Sequence, residues 1–329
     1  MKCTDNKRIK TTLCAVLACM IFLTGCGNVS YDMAYDPDSQ ISSFNVISRQ
    51  DRNVANSFAS SLCVAAGDVV DDESVDMSQA SAALLFSLNN RDVLYSKNVH
   101  QTLYPASLTK VMTALVALQH GSLDQTLTAT SAVNITEAGA QLCGLKSGDT
   151  MTLDQALRIL LVYSANDAAM LIAENIGGTV ENFVEMMNQE ARRLGATNTH
   201  FANPHGLTDP EHYTTAYDLY LILNEAVKYD TFNEIIQMPV YQTTYFDKNG
   251  KEKTFDKSTT NLFIKGDYQS PANVNVVGGK TGTTKAAGHC LMLLARDSGG
   301  APYISVILGS AETETLYKEM IDLLDEINK

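Results

Sequence analysis

From residue 107 onward the apolar side chains Leu108, Val111, Met112, Leu115, Val116 and Leu118 recur at intervals of three and four. That spacing is the stripe of an amphipathic helix with a well-buried face. Pro105, whose missing N–H costs nothing at a helix start, opens it, and Gly121 follows its end. Comparable patterns predict helices over 153–162, with Leu153, Ala156, Leu157, Leu160 and Leu161 on one face, and over 167–176, stopped by Gly177-Gly178. Further helices are expected over 181–194, 216–227 and 312–328. Apolar runs over 82–86 and 93–95, split by a turn at Asn89-Asn90-Arg91-Asp92, predict a β-hairpin. Strands are expected again over 240–246, 274–284, 289–295 and 303–308. Between the first two long helices, residues 126–150 read as loop with short strands, closing on the turn Lys146-Ser147-Gly148-Asp149, and 201–209 reads as loop. A hairpin first, helices in the middle, strands late and a final helix make an α/β plan. The two chain ends are expected to share one antiparallel sheet, and no internal repeat is present.

The first 25 residues have a different character. Lys2, Lys7, Arg8 and Lys10 form a positive region ahead of an apolar run, 13–23, that is too short to span a bilayer. The run closes on Leu23-Thr24-Gly25-Cys26, which resembles the bacterial lipoprotein box. The resemblance implies cleavage before Cys26 and acylation of its thiol, hence a lipid-borne attachment to the membrane on the extracytoplasmic side. Residues 27 to about 77 lack sustained periodicity, are rich in Asp, Ser and Asn, and end with Asp71-Asp72-Glu73 and Asp76. They read as a disordered acidic tether over 26–77. About 50 flexible residues reach roughly 40 Å root-mean-square. Within it, 58–70 is more apolar and is expected to form a short helix or to dock on the domain, which is drawn over 78–329.

Composition narrows the partners. The 329 residues are 45% hydrophobic and 19% charged, enough to bury a sizeable core. The formal net charge of −13 argues against a nucleic-acid partner, since phosphate binding needs a basic face. Loss of residues 1–25 removes four positive side chains and one negative, taking the charge to −16. It also leaves Cys63, Cys143 and Cys290 as the cysteines beyond Cys26. An odd number without a Cys-x-x-Cys is not a disulfide framework; a single Cys143–Cys290 bridge stays open, with nothing in the sequence to support it. The six histidines show no metal-ligand spacing, His200 and His205 read as structural, and no cofactor or metal is expected.

The chemistry begins at Ser107. A first-turn serine faces unpaired backbone N–H groups and the positive end of the helix dipole. Lys110, three residues on, shares its face and can bring an amine to the hydroxyl. A serine attacks only when an adjacent base takes its proton, and a desolvated lysine near another cation can be that base. The bland alternative is a helix-capping serine with a snorkelling lysine, and downstream company decides between them. Ser164-Ala165-Asn166 lies at a helix–helix junction, where a loop can aim a hydroxyl and an amide into one cleft. Gly279-Lys280-Thr281-Gly282-Thr283 lies in strand-like sequence, where glycines let a substrate backbone approach and pair with the strand edge. Each short motif recurs trivially elsewhere, as in Ser87-Leu88-Asn89 and Lys146-Ser147-Gly148.

In this order, Ser-x-x-Lys, Ser-x-Asn and Lys-Thr-Gly match the signature of penicillin-binding proteins and serine β-lactamases. Residues 105–113, 145–149, 164–169, 201–207, 214–218 and 279–282 extend the match, and the chain over 81–329 resembles the D-alanyl-D-alanine carboxypeptidase family. The resemblance implies a β-lactamase/transpeptidase-like α/β fold with a helical subdomain. It implies peptidoglycan stem peptide as substrate and β-lactam antibiotics as covalent inhibitors. It also implies roles: Ser107 as nucleophile, Lys110 as its base, Ser164 as proton relay to the leaving D-alanine, and Asn166 as a hydrogen-bond partner of the peptide. Lys280 and Thr281 would hold the terminal carboxylate, and the N–H groups of Ser107 and Thr283, beside Gly282, would form an oxyanion hole. Thr283 stands where some members carry histidine, which bears on substrate preference. Many members add a β-rich domain and a C-terminal membrane helix, whereas this chain stops at Lys329, so the anchor is expected at Cys26. Three alternatives remain: a β-lactamase, which needs a glutamate motif after Asn166 that is not found; a D,D-endopeptidase; and a non-catalytic lipoprotein that binds cell-wall peptide.

Overall fold

The two ends of the chain pair with each other. In the computed structural model, which describes residues 62–69 and 75–329, β1 (Ala82–Ser87) turns into β2 (Asp92–Lys97). On its other side β1 runs antiparallel to β9 (Pro302–Ser310), from Ala82 opposite Leu308 to Ser87 opposite Tyr303. With β8 (Gly288–Asp297) and β7 (Val274–Thr284) this gives a five-stranded antiparallel sheet in the order β2-β1-β9-β8-β7. The expected sharing of one sheet by both chain ends is what forms. The export signal, Cys26 and residues 27–61 and 70–74 of the tether lie outside the described residues.

All six positions of β1 are buried, because the sheet is covered on both faces. Period-two alternation sends Ala82, Leu84 and Phe86 into one core and Ala83 and Leu85 into the other. The second core is closed by α8 (Thr313–Asp325) through Leu316, Met320 and Leu323. The first is filled by the helical layer. At its centre lies α1 (Thr109–His120), against α3 (Asn166–Gly177), α4 (Val180–Leu194) and α5 (Ala216–Ala226). A smaller sheet of β3 (Thr126–Thr128), β4 (Thr150–Thr152), β5 (Val240–Phe246) and β6 (Glu252–Ser258) completes the helical side.

The structure departs from the sequence reading at five points. α1 is not amphipathic in place: residues 109–117 are all buried, Thr109, Lys110 and Thr113 included. Ser107 lies in a separate 3-10 turn, Ala106–Leu108, rather than in the first α-turn. The helix expected over 153–162 is α2 (Leu153–Arg158) followed by a wider π-turn, Ile159–Tyr163. Strand β6 went unread because it is an edge whose solvent side is charged and in which Phe255 alone is buried. The short helices α6 (Asp230–Ile236) and α7 (Leu262–Lys265) were unread too, being too brief to show a period.

Residues 62–69 and 75–77, drawn as tether, pack on the domain. The Cys63 N–H donates to Tyr220 Oη at 2.9 Å, and Tyr217 Oη donates to the Cys63 carbonyl at 2.9 Å. Val69 and Ser96 exchange two backbone bonds at the outer edge of β2. Val75 and Met77 enter the second core. No helix forms in the described part of 58–70. Cys63, Cys143 and Cys290 are free thiols, so the Cys143–Cys290 bridge does not form.

The buried carboxylate of Glu319 on α8 secures this entry segment, accepting from Gln79 N–H at 3.0 Å, Ala80 N–H at 2.8 Å and Ser310 Oγ at 2.7 Å. Glu319→Ala would strand three donors, two of them on buried residues, and should lower the unfolding free energy by about 3 kcal/mol, measured by urea denaturation. An unchanged midpoint would mean that water satisfies those donors.

Candidate active site

The cleft lies where the outer edge of β7 meets the N-terminal end of α1. Pro105 starts the 3-10 turn, Ala106 takes a positive φ of 48°, and Ser107 is left half-exposed at the cleft while the flanking Ala106 and Leu108 are buried. Two glycines allow that placement. A Cβ on Gly206 would stand 1.8 Å from the Ala106 carbonyl oxygen, at a φ of +87°. A Cβ on Gly282 would stand 2.9 Å from the Ser107 nitrogen, so β7 presses its bare backbone against the Ser107 amide.

Lys110 lies directly beneath, fully buried. Its Nζ is 2.8 Å from Ser107 Oγ, 2.7 Å from Asn166 Oδ1 and 2.6 Å from the His205 carbonyl oxygen. Burial, then the charge of Lys280, holds its pKa well below the ordinary 10.5. In its neutral form the amine has two N–H donors and one lone pair. Two of the three partners are carbonyl oxygens that only accept, so they take both N–H groups. The lone pair is left for the third partner, the one that carries a proton, Ser107.

The loop 203–207 supplies one of those carbonyls. Asn203 Oδ1 accepts from Gly206 N–H at 2.7 Å and Asn203 Nδ2 donates to the Leu207 carbonyl at 3.0 Å, folding the loop on itself. The loop then offers the His205 carbonyl to Lys110 and the Pro204 carbonyl to Thr113 Oγ1, 2.6 Å away. Burial pushes the His205 imidazole down to about 3 and that of His212 to about 4. Both rings are neutral and add no positive charge beside Lys110. His212 Nδ1 accepts from Ala202 N–H, which leaves Nε2–H to donate to Thr109 Oγ1, which in turn donates to the Ala106 carbonyl. The structural role expected of His205 agrees with this packing.

The opposite wall is the π-turn after α2. A π-turn inserts one residue's worth of extra path into a helix. Here it delivers Ser164 at the helix end in the left-handed conformation, φ 67°. That conformation costs a serine about 1–3 kcal/mol and must be held by its surroundings. Asn166, two residues on, begins α3 and reaches Lys110. Asp167 is turned away: its carboxylate accepts from the N–H groups of Cys143, Gly144 and Leu145 at 2.8–3.0 Å and from the Cys143 thiol. Glu174 bonds Thr130 Oγ1. Among the described residues, no Asp or Glu lines the cleft.

The cleft encloses about 420 Å³ and is lined by Ser107, Ser164, Asn166, Thr281, Gly282 and Thr283 of the sequence-derived set. Lys110 and Lys280 are not on its surface. Lys280 is buried, donates to the Thr281 carbonyl at 2.8 Å, and is lowered by burial to about 7. Thr281 occupies the wall, with its hydroxyl 2.6 Å from that of Thr260, and Lys280, next to it in β7, is buried. Sequence reasoning missed Thr260, Gln141 and His289, which also line the cleft. Thr260 and Gln141 come from segments with no periodic signal, whereas His289 opens the strand expected over 289–295, whose pattern does not say what its first residue faces. His289 faces Thr283 across the β7–β8 ladder, which places an imidazole beside the position where some relatives carry one in the strand itself.

A serine hydroxyl on a buried amine of lowered pKa, a hydroxyl and amide facing it, and an open strand edge alongside place the chain in the class of penicillin-binding-protein folds. The chain belongs to the D-alanyl-D-alanine carboxypeptidase family, peptidase S11, whose profile matches residues 70–312. It is 33% identical over 252 residues to the D-alanyl-D-alanine carboxypeptidase DacF of Bacillus subtilis, covering 75% of this chain and 61% of that protein. To DacC of Escherichia coli it is 33% identical over 270 residues, covering 79% and 63%. The chain thus spans about three fifths of the length of these curated relatives. The solved DD-transpeptidase of a Streptomyces strain superposes with a TM-score of 0.69 at 27% identity, covering 75% of this chain and 96% of that one.

Lys280 yields a test with a definite sign. Its folded pKa of about 7 lies below the unfolded 10.5, so the unfolded chain binds more protons between those values and stability falls as pH drops through that window. Lys280→Met should remove that slope. We expect the variant to be more stable than wild type by about 1–2 kcal/mol at pH 7, with the gap closing toward pH 10.5, while activity is lost. Urea midpoints across the pH range would show it; parallel curves for the two proteins would exclude it.

Proposed function

We propose that the protein is a serine D-alanyl-D-alanine carboxypeptidase that removes the terminal D-alanine from peptidoglycan stem peptides, and that β-lactams acylate the same serine. The observation that supports this best is the buried Lys110 amine, 2.8 Å from Ser107 Oγ with its other two directions taken by carbonyls. Lys110 takes the Ser107 proton as Oγ bonds the carbonyl carbon of the penultimate D-alanine. The carbonyl electron pair moves to oxygen, where the N–H groups of Ser107 and Thr283 hold it. When the pair returns, the C–N bond breaks. Ser164 gives its proton to the leaving nitrogen and regains one from Lys110. Water then enters the vacated place, loses a proton to Lys110 and bonds the acyl carbon, and as the ester C–O bond breaks Lys110 returns that proton to Ser107 Oγ. The leaving carboxylate rests on Thr281 with the Lys280 charge behind it, Asn166 holds both Lys110 and the peptide amide, and Gly282 lets the peptide lie close to β7.

The β-lactamase alternative needs a carboxylate to activate water on the acyl-enzyme, and Asp167 and Glu174 are engaged elsewhere. A penicillin adduct should therefore persist. The layout that goes with this reading is an export signal over 1–25, a lipid on Cys26, an acidic tether, and a catalytic domain over 78–329 on which 62–69 and 75–77 dock. This would place the enzyme on the outer face of the cell membrane.

The deciding assay is release of free D-alanine from a pentapeptide, compared with cleavage of a crosslinked dimer. We expect release that Ser107→Ala lowers by about 10⁴-fold or more, together with a stable mass increase of one benzylpenicillin on the wild type. Dimer cleavage without D-alanine release would instead favour an endopeptidase, and drug consumed by unmodified enzyme a β-lactamase.

Attachment is tested separately. Cys26→Ser should release the protein from membrane fractions or leave its signal uncleaved; a cleaved variant that stays on the membrane would disprove the lipid.

A further inference from the structure

Ser164 has a left-handed backbone, and among the described residues no protein group hydrogen-bonds its hydroxyl. Its aim is therefore set by the backbone held on either side of it, at the Tyr163 carbonyl in the preceding peptide and at the Asn166 N–H one peptide beyond the following one. Helix ends leave such groups without partners inside their own helices. Tyr163 ends the π-turn and Asn166 begins α3, so both fall in that category. Both are taken by one residue on a different segment. The Gln141 side-chain amide donates to the Tyr163 carbonyl, and the Gln141 backbone carbonyl accepts from Asn166 N–H at 2.8 Å.

Gln141 is itself held. Asp167, one residue past Asn166, accepts from the N–H groups of residues 143–145 and ties the Gln141 loop back to α3. The contacts are reciprocal: the helix that starts at Asn166 fixes the loop, and the loop fixes the turn that carries Ser164.

We infer that Gln141 is a positioning residue for Ser164, setting the hydroxyl's direction toward the leaving nitrogen by clamping both sides of its turn. The inference rests on the reading of Ser164 as proton donor to that nitrogen. It has a distinctive consequence. An amide leaving group must be protonated as it departs, whereas a thioester leaving group departs as a stable thiolate without help. A loosened Ser164 should therefore slow amide cleavage far more than thioester cleavage, even when the acyl portion of the two substrates is the same.

Gln141→Met keeps the side chain's length and the backbone bond while removing the donor to Tyr163, and Gln141→Glu removes the donor and sets a carboxylate against that carbonyl. Each would be compared with wild type and Ser164→Ala on a D-alanyl-D-alanine peptide and on the matching D-alanyl thioester, with rates normalised to the number of sites titrated by fluorescent penicillin. We expect both Gln141 variants to lose about 10- to 100-fold in kcat/KM on the amide, the scale of a misplaced catalytic group, and less than about 3-fold on the thioester, with Glu the worse. Equal losses on both substrates would overturn the inference, because they would mean that Gln141 contacts the shared acyl portion or merely supports the fold. An amide-selective loss in Ser164→Ala with none in either Gln141 variant would overturn it while sparing the role of Ser164. If Ser164→Ala itself lost equally on both substrates, the role of Ser164 would fall and the inference with it.

Discussion

The structure turns on an amine whose burial makes its charge costly. Lys110 lies fully buried in the middle of the helical layer, and its three neighbours are two carbonyl oxygens and one hydroxyl. Charging it in that place would mean desolvating an ammonium within reach of a second buried lysine, and the cost of that falls on folding. Much of the surrounding architecture serves this point. The folded loop 203–207 brings one carbonyl, α3 brings the Asn166 amide, and His205 and His212 stay neutral close by. The same burial that lowers the amine's pKa makes the floor of the cleft a destabilising feature, offset by the apolar packing of α1 on all sides.

Long-range order and short-range geometry were legible to very different degrees. The outer frame could be read, because covered strands such as β1 and β9 carry continuous apolar runs and α8 carries a clean stripe. Ser107, Lys110, Ser164, Asn166 and the Lys280–Thr283 strand were visible as motifs, and they do come together. What could not be read is depth. Nothing in the spacing of Lys110 or Lys280 says that both lie below the cleft surface rather than on it. Burial of a lysine is decided by what packs over it, here segments about 95 and 56 residues further along or more.

The turn at Ser164 shows a second limit. Residues 159–163 are apolar and continue the helical period, so the sequence offers no sign that the backbone widens there. The widening is stabilised from outside, by Gln141 on a loop that lacks any period of its own. Likewise β6 reads as a charged surface stretch because a hairpin edge needs few apolar residues. For the turn the missing information lies in a partner distant along the chain, and for β6 in its hairpin neighbour β5.

The large sheet has two edges, and they are treated differently. At β2 the chain's own entry segment lies alongside, Val69 joined to Ser96 by two backbone bonds. At β7 the edge beside Ser107 is kept bare, thinned by Gly279 and Gly282, and faces the cleft. Exposed strand edges invite any extended polypeptide to pair with them, copies of the same protein included. Recessing the free edge in a cleft of about 420 Å³ makes it a turnstile, open to a slender chain end and closed to the broad flank of a neighbouring molecule.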